Sequence, residues 1–163
     1  MKVLIATEKP FAATAVEGIR KEIEGAGHDL MLLEKYTDRS ELLAAVKDAE
    51  AMIVRSDKVT ADVLDAAQNL KIVVRAGAGY DSIDTDYAKT KGVVVENTPG
   101  QNSNAVAELV FGLLVFAVRN FYNGKSGSEL KGKKLGILAF GNVGRNVARI
   151  AKGFGMEVYA FDE

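Results

Sequence analysis

From its first residues the chain alternates short unbroken apolar runs with segments whose apolar residues recur every three to four positions, five rounds within about 100 residues. A strand that is apolar at every position has no solvent face, so it is buried on both sides, as in a parallel sheet flanked by helices. The strand-like runs are Val3–Ala6, Leu30–Leu33, Met52–Val54, Ile72–Val74 and Val93–Val95. Between them, Ala15, Val16, Ile19 and Ile23 predict a helix that stops at Gly25 and Gly27. Ser40 is a candidate cap for a short helix carrying Leu42, Leu43 and Val46, and Thr60 for one running through Leu64. A further short helix is expected over Asp84 to Lys91. Residues 1–100 therefore read as an α/β unit with a doubly wound parallel sheet.

The second part of the chain, 101–163, is organised differently. After the loop Asn97–Asn102, a long helix is expected from about Ser103 to Tyr122, apolar on most of its circumference and so in need of cover on nearly every side. Asn123 to Lys133, with three glycines, two serines and three lysines, has the composition of a linker. Then come a strand at Lys134–Leu138, a glycine-bearing turn, a helix at Val143–Phe154 and a strand at Glu157–Phe161.

Composition narrows the chemistry. The chain has no cysteine, which removes disulfides, thiolate metal sites and thiol nucleophiles, and no metal site is expected. With 21 basic against 22 acidic side chains it lacks the basic excess of a nucleic-acid binder. Its longest uncharged apolar run, Leu109–Val118, is half the roughly 20 residues a membrane span needs. A cytoplasmic protein with neither nucleic-acid nor membrane partners is expected.

Two groups of residues have patterns that point to chemistry. In the first, the strand Leu135–Leu138 runs into Ala139-Phe140-Gly141-Asn142-Val143-Gly144, a helix follows, and Val158–Phe161 ends at Asp162, 21 residues after Gly141. This is the layout of a dinucleotide-binding βαβ. Backbone N–H groups at the turn and the helix N-terminus approach a pyrophosphate, and the acid accepts hydrogen bonds from ribose hydroxyls. An acid there repels a 2′-phosphate, so NAD is expected rather than NADP. The usual first glycine is Ala139, which fits the turn only if its φ stays negative. In the second group, Arg55-Ser56 and Arg75-Ala76-Gly77-Ala78-Gly79 follow the third and fourth strands, at the end where open α/β sheets bind ligands. The glycines could expose N–H groups as an anion nest flanked by two arginines, or merely turn the chain while the arginines pair with surface acids. Spacing does not decide between these.

The motifs Val54-Arg55-Ser56-Asp57-Lys58-Val59-Thr60, Arg75-Ala76-Gly77-Ala78-Gly79-Tyr80-Asp81-Ser82-Ile83-Asp84, Asn97-Thr98-Pro99-Gly100, Ala107-Glu108-Leu109 and Leu130-Lys131-Gly132-Lys133 occur in the order seen in D-2-hydroxyacid dehydrogenases, which the chain resembles over essentially its whole length. The likeness is closest to the branch that oxidises 3-phosphoglycerate at the head of serine biosynthesis. The resemblance implies a flavodoxin-like substrate domain followed by the first βαβ of a Rossmann domain. It implies that the backbone of Gly77, Ala78 and Gly79 faces a substrate carboxylate and that Arg55, Ser56 and Arg75 face the substrate and its phosphate. It also implies that Asn102 lies near substrate and nicotinamide, that Ala78 stands beside the cofactor, and that Phe140, Gly141, Asn142, Val143 and Gly144 lie under the pyrophosphate, with Asp162 on the ribose. Relatives often have threonine at the place of Ala78, and usually arginine and isoleucine at those of Asn142 and Val143. The long helix, 103–122, is expected to help form a homodimer.

Family chemistry also needs an arginine, a carboxylate and a histidine that in relatives lie beyond the dinucleotide turn. The only histidine here, His28, falls outside every motif. Residues 134–163 supply just two strands and one helix of a larger sheet, so the expectation is the N-terminal part of a longer enzyme, inactive alone. The alternatives are a non-catalytic dinucleotide- or anion-binding fragment, and a phosphoacceptor signalling domain with Asp57 as acceptor. The latter lacks half its acidic pair and the lysine after the fifth strand.

Overall fold

Strands β1 (Lys2–Thr7), β2 (Asp29–Glu34), β3 (Ala51–Val54), β4 (Ile72–Arg75) and β5 (Val94–Asn97) form one all-parallel sheet in the computed structural model, which describes residues 1–163. Their order is β2-β1-β3-β4-β5, the flavodoxin-like arrangement. The chain leaves β1 for one side of the sheet and returns at β3 on the other, so a crevice is expected between the C-terminal ends of β1 and β3. The sheet belongs to the first of two units, Met1–Pro99; the second is Gly100–Glu163.

Helices α1 (Ala13–Gly25), α2 (Arg39–Ala45), α3 (Ala61–Ala66) and α4 (Thr85–Thr90) connect these strands. The core lies between one sheet face and α2–α4: Leu4, Ala6, Met52, Val54 and Val73 cluster with Leu42, Val46, Val63, Leu64 and Ala88. Each such side chain contributes roughly 1.5–3 kcal/mol through burial if it is of valine or leucine size. Helix α1 buries none of its residues; its apolar face of Val16, Ile19 and Ile23 is half-buried.

Two expected caps are corrected. The N-cap of α2 is Asp38, not Ser40: the Asp38 carboxylate accepts from Ser40 N–H at 2.7 Å, and Glu41 closes a capping box. Thr60 stands at the N-cap of α3, but its hydroxyl donates to Asp62 Oδ1 at 2.6 Å instead of accepting from the helix.

In the second unit, α5 (Ser103–Val118) packs on α6 (Asn142–Gly153), and β6 (Lys134–Leu138) pairs in parallel with β7 (Glu157–Phe161). The expected helix 103–122 is thus too long. It stops at Val118 because Asn120, Phe121 and Tyr122 take φ of 54°, 57° and 53°, a left-handed turn that cannot continue a right-handed helix. Ala107 and Phe111 of α5 are buried with Val147, Ala151 and Met156, and Phe111 stacks on Phe154 at 5.1 Å between ring centres. The segment with linker composition is anchored in this core by Leu130, which is 5% exposed. The far face of α5 is not covered: Val106, Leu109, Leu113 and Phe116 are exposed. No helix is long and apolar enough to cross a membrane.

Candidate functional site

Arg55 and Ser56 leave the end of β3, and Arg75 ends the neighbouring strand β4 opposite Asn97 of β5, so the sheet gathers these residues along its C-terminal edge. Ser56 is exposed. The turn after β4 is held from one side only. Thr98 N–H donates to Gly77 O at 2.9 Å, and Asn97 Nδ2 donates to Ala78 O at 2.6 Å. Because a trans peptide points its N–H opposite its carbonyl, these two bonds turn the N–H groups of Ala78 and Gly79 away from β5, where neither finds a partner in the chain. The Gly77 N–H is used internally, to Arg75 O at 2.8 Å. Neither Gly77 nor Gly79 has a positive φ, so the left-handed residue that an anion nest needs is missing. The turn offers two free donors rather than a nest.

Arg75 folds back over this turn. A Cβ on Gly77 would stand 1.4 Å from Arg75 Nη1, so glycine is what lets the guanidinium lie there. Arg75 Nε is buried and has no hydrogen-bond partner. The Arg55 guanidinium donates to Pro10 O at 3.2 Å, and neither arginine is ion-paired, so the pairing with surface acids that would make them merely structural does not occur.

Asp57, two residues beyond Arg55, is 4% exposed. Its Oδ1 accepts from Glu8 N–H at 2.7 Å and from Tyr36 Oη at 2.8 Å, and its Oδ2 accepts from Arg55 N–H at 3.4 Å. Burial, and then the bond to Asp57, push the Tyr36 hydroxyl above the ordinary tyrosine range. A phosphoacceptor must present a free carboxylate oxygen to solvent, which this buried and occupied Asp57 does not do. The roles of Asp57, Tyr36 and Asn97 were not readable from spacing, since only the strand order brings their partners to them.

In the second unit, Gly141 caps α6 with no side chain, and the first turn of the helix carries no acid. A Cβ on Gly141 would meet nothing within 4 Å, whereas one on Gly144 would stand 2.3 Å from Ala139 O and 3.2 Å from Ile137 Cγ2. The helix thus packs hard on the strand while its N-terminus stays open, the cradle a pyrophosphate requires. Arg145 Nε braces the turn by donating to Phe140 O at 2.9 Å, a role its position alone did not signal. Val143 is exposed at the open helix start, and the Asn142 amide lies against Gly100, 3.0 Å from where a Cβ would be. Asp162 follows β7 on the surface; Leu138, Ala139, Phe161, Asp162 and Glu163 line one shallow depression. Ala139 does not keep the negative φ expected of an alanine: it sits at 72°, and its N–H donates to Phe161 O at 2.8 Å. Asn102 stands at the N-cap of α5 without a side-chain capping bond. His28 lies at the opposite end of the first unit's sheet, its Nδ1 3.3 Å from the amino terminus.

A parallel α/β sheet with unpaired N–H groups and arginines along its C-terminal edge, and a separate glycine turn opening a helix, are features of dinucleotide-binding α/β folds. Residues 4–158 match the family described as "D-isomer specific 2-hydroxyacid dehydrogenase, catalytic domain", and the chain belongs to that family. It is 40% identical over 148 residues to a hydroxypyruvate reductase of Thermotoga maritima, covering 82% of this chain and 48% of that one. It is 42% identical over 158 residues to D-3-phosphoglycerate dehydrogenase of Rattus norvegicus, covering 88% and 29%. The crystal structure of NAD+-bound 3-phosphoglycerate dehydrogenase of Entamoeba histolytica superposes with a TM-score of 0.94 at 47% identity, over 99% of this chain and 54% of that one. The chain thus spans about half the length, or less, of these relatives.

Proposed function

We propose that this chain carries the substrate-binding unit, residues 1–100, and the long helix and NAD-binding turn, residues 101–163, of a D-2-hydroxyacid dehydrogenase that oxidises 3-phosphoglycerate. The observation that carries this reading is the Arg75 guanidinium, laid over Gly77 with its Nε buried and unbonded, on a turn whose Ala78 and Gly79 N–H groups are also free. A cation and two N–H donors suit a carboxylate, and the unpaired Arg55 supplies a second cation for a phosphate. Asn102, at the start of α5, is assigned to the substrate and nicotinamide by family likeness, and Ala78 to the cofactor by its backbone alone.

Gly141, Val143 and Gly144 at the open start of α6, with Phe140 and Asn142, would hold the pyrophosphate, and Asp162 the adenosine ribose. When bound, NAD supplies the hydride acceptor. Asp162 favours NAD over NADP by repelling a 2′-phosphate. No imidazole of this chain reaches the C-terminal edge, since His28 lies at the other end of the sheet, so we assign the 163 residues binding without turnover. The reading extends to serine biosynthesis in the cytoplasm and to a homodimer, with the exposed Val106, Leu109, Leu113 and Phe116 of α5 buried against a second copy.

A reductase of hydroxypyruvate is the second reading, favoured by the Thermotoga relative. Calorimetric titration separates the two. On the first reading 3-phosphoglycerate binds more tightly than hydroxypyruvate, and both Arg55→Ala and Arg75→Ala weaken it about tenfold or more, the weight of a charge-assisted contact. Equal affinity for the two acids, unaffected by Arg55→Ala, would contradict it.

A further inference from the structure

We propose that Asp57 is a positioning residue for anion recognition, its buried carboxylate fixing both the backbone of Arg55 and the Glu8–Pro10 segment on which the Arg55 guanidinium rests. The inference rests on the reading of Arg55 and Arg75 as the anion site, and goes beyond it by assigning the group that sets the geometry of Arg55.

Strands β1 and β3 are neighbours, with Ala6 opposite Val54, so the segments that follow them meet at the switch point of the sheet. Asp57 closes that junction. One oxygen takes Glu8 N–H from the segment after β1 and Tyr36 Oη from the segment after β2, and the other faces Arg55 N–H after β3. The Glu8–Pro10 segment is further tied by Thr7 Oγ1, which donates to Lys9 O at 2.7 Å, and Pro10 O then receives Arg55 Nη1. Arg55 is therefore held at its backbone directly and at its guanidinium through Glu8–Pro10. All three groups facing the carboxylate are donors, so a carboxylate satisfies them, whereas an amide must turn its own NH2 toward one of them.

Charge alone argues the other way, and this makes the role testable. A buried negative charge near Arg55 repels an anionic ligand, so an Asp57 that acted only by charge would bind anions better once neutralised. An Asp57 that acts through Arg55 binds them worse.

The test is a double-mutant cycle on the 163-residue chain, titrated with 3-phosphoglycerate, with near-ultraviolet circular dichroism confirming that each variant is folded. Asp57→Asn is expected to weaken binding about tenfold in the native background and to have no effect, or to tighten binding, in the Arg55→Ala background. Unchanged or tighter binding by Asp57→Asn, where Arg55→Ala alone binds poorly, overturns the positioning role and leaves the anion site standing. Unaltered affinity in both Arg55→Ala and Arg75→Ala, or no binding by the native chain, overturns the site and the positioning role together. If Asp57→Asn does not fold, Tyr36→Phe removes one of the donors to the same carboxylate. It is then expected to weaken binding about threefold, and only while Arg55 is present; no loss overturns the proposal.

Discussion

Tyr36 and Asp57 join the ends of β2 and β3 through one buried hydrogen bond, Oη to Oδ1 at 2.8 Å. Burial first, and then this bond, which ionisation would break while setting two negative charges side by side, hold the Tyr36 proton beyond the normal tyrosine range.

Tyr36 therefore makes the fold sensitive to base. Its folded-state pKa lies above its unfolded value of 10.0, so the native state holds the proton more tightly. The stability this contributes is complete below pH 10 and is lost as pH rises above it. Chemical denaturation at stepped pH should show this alkaline fall, and Tyr36→Phe should flatten it while costing about 1–3 kcal/mol at neutral pH. In an absorbance titration of the five tyrosines, Tyr36 should ionise last.

Ala139 occupies the left-handed region at φ 72°. An L-residue there costs roughly 1–2 kcal/mol, part of which glycine loses again through its greater unfolded freedom. Ala139→Gly should raise stability by about 0.5–1 kcal/mol, measured by thermal unfolding, without weakening NAD.

Gly77 and Arg75 share one space. The Cβ of Gly77→Ala would overlap the tip of a flexible arginine rather than backbone, so the guanidinium should swing away while the fold persists. Affinity for 3-phosphoglycerate should fall about tenfold, with unfolding free energy changed by less than about 1 kcal/mol.

Gly144 and Gly141 should behave oppositely. A methyl at Gly144 meets the Ala139 carbonyl at 2.3 Å and forces helix from strand, so Gly144→Ala should cost about 1–3 kcal/mol or more and abolish NAD binding. Gly141→Ala, with open space around its Cβ, should leave stability within about 1 kcal/mol. Parallel unfolding curves and NAD titrations check both.

The layered α/β architecture was readable because buried parallel strands are apolar at every position, and β6 and β7 were placed to the residue by their flanking charges and turns. The end of α5 was not, since the left-handed run Asn120–Tyr122 contains no glycine to announce it. The cap of α2 was readable in principle: Asp38 with Glu41 three residues on is a capping-box signature, but Ser40 stands close enough to compete for it. At the site, residue types marked Arg55, Arg75 and the glycines. Strand order alone determines that Asp57 is buried where the ends of β1, β2 and β3 meet, because Glu8 and Tyr36 are distant in sequence. The backward fold of Arg75 over Gly77 likewise depends on a side-chain path that no spacing encodes.

An amide-resolved NMR titration of the 163-residue chain with 3-phosphoglycerate tests most directly whether the C-terminal edge of the first unit's sheet holds the anion site. The largest shifts should fall on Arg55 and Ser56, which follow β3, and on Ala78 and Gly79, whose N–H groups have no partner in the chain. Shifts centred instead on the groove along β5, at Lys89, Val94 and Glu96, or no shifts at all, would contradict it.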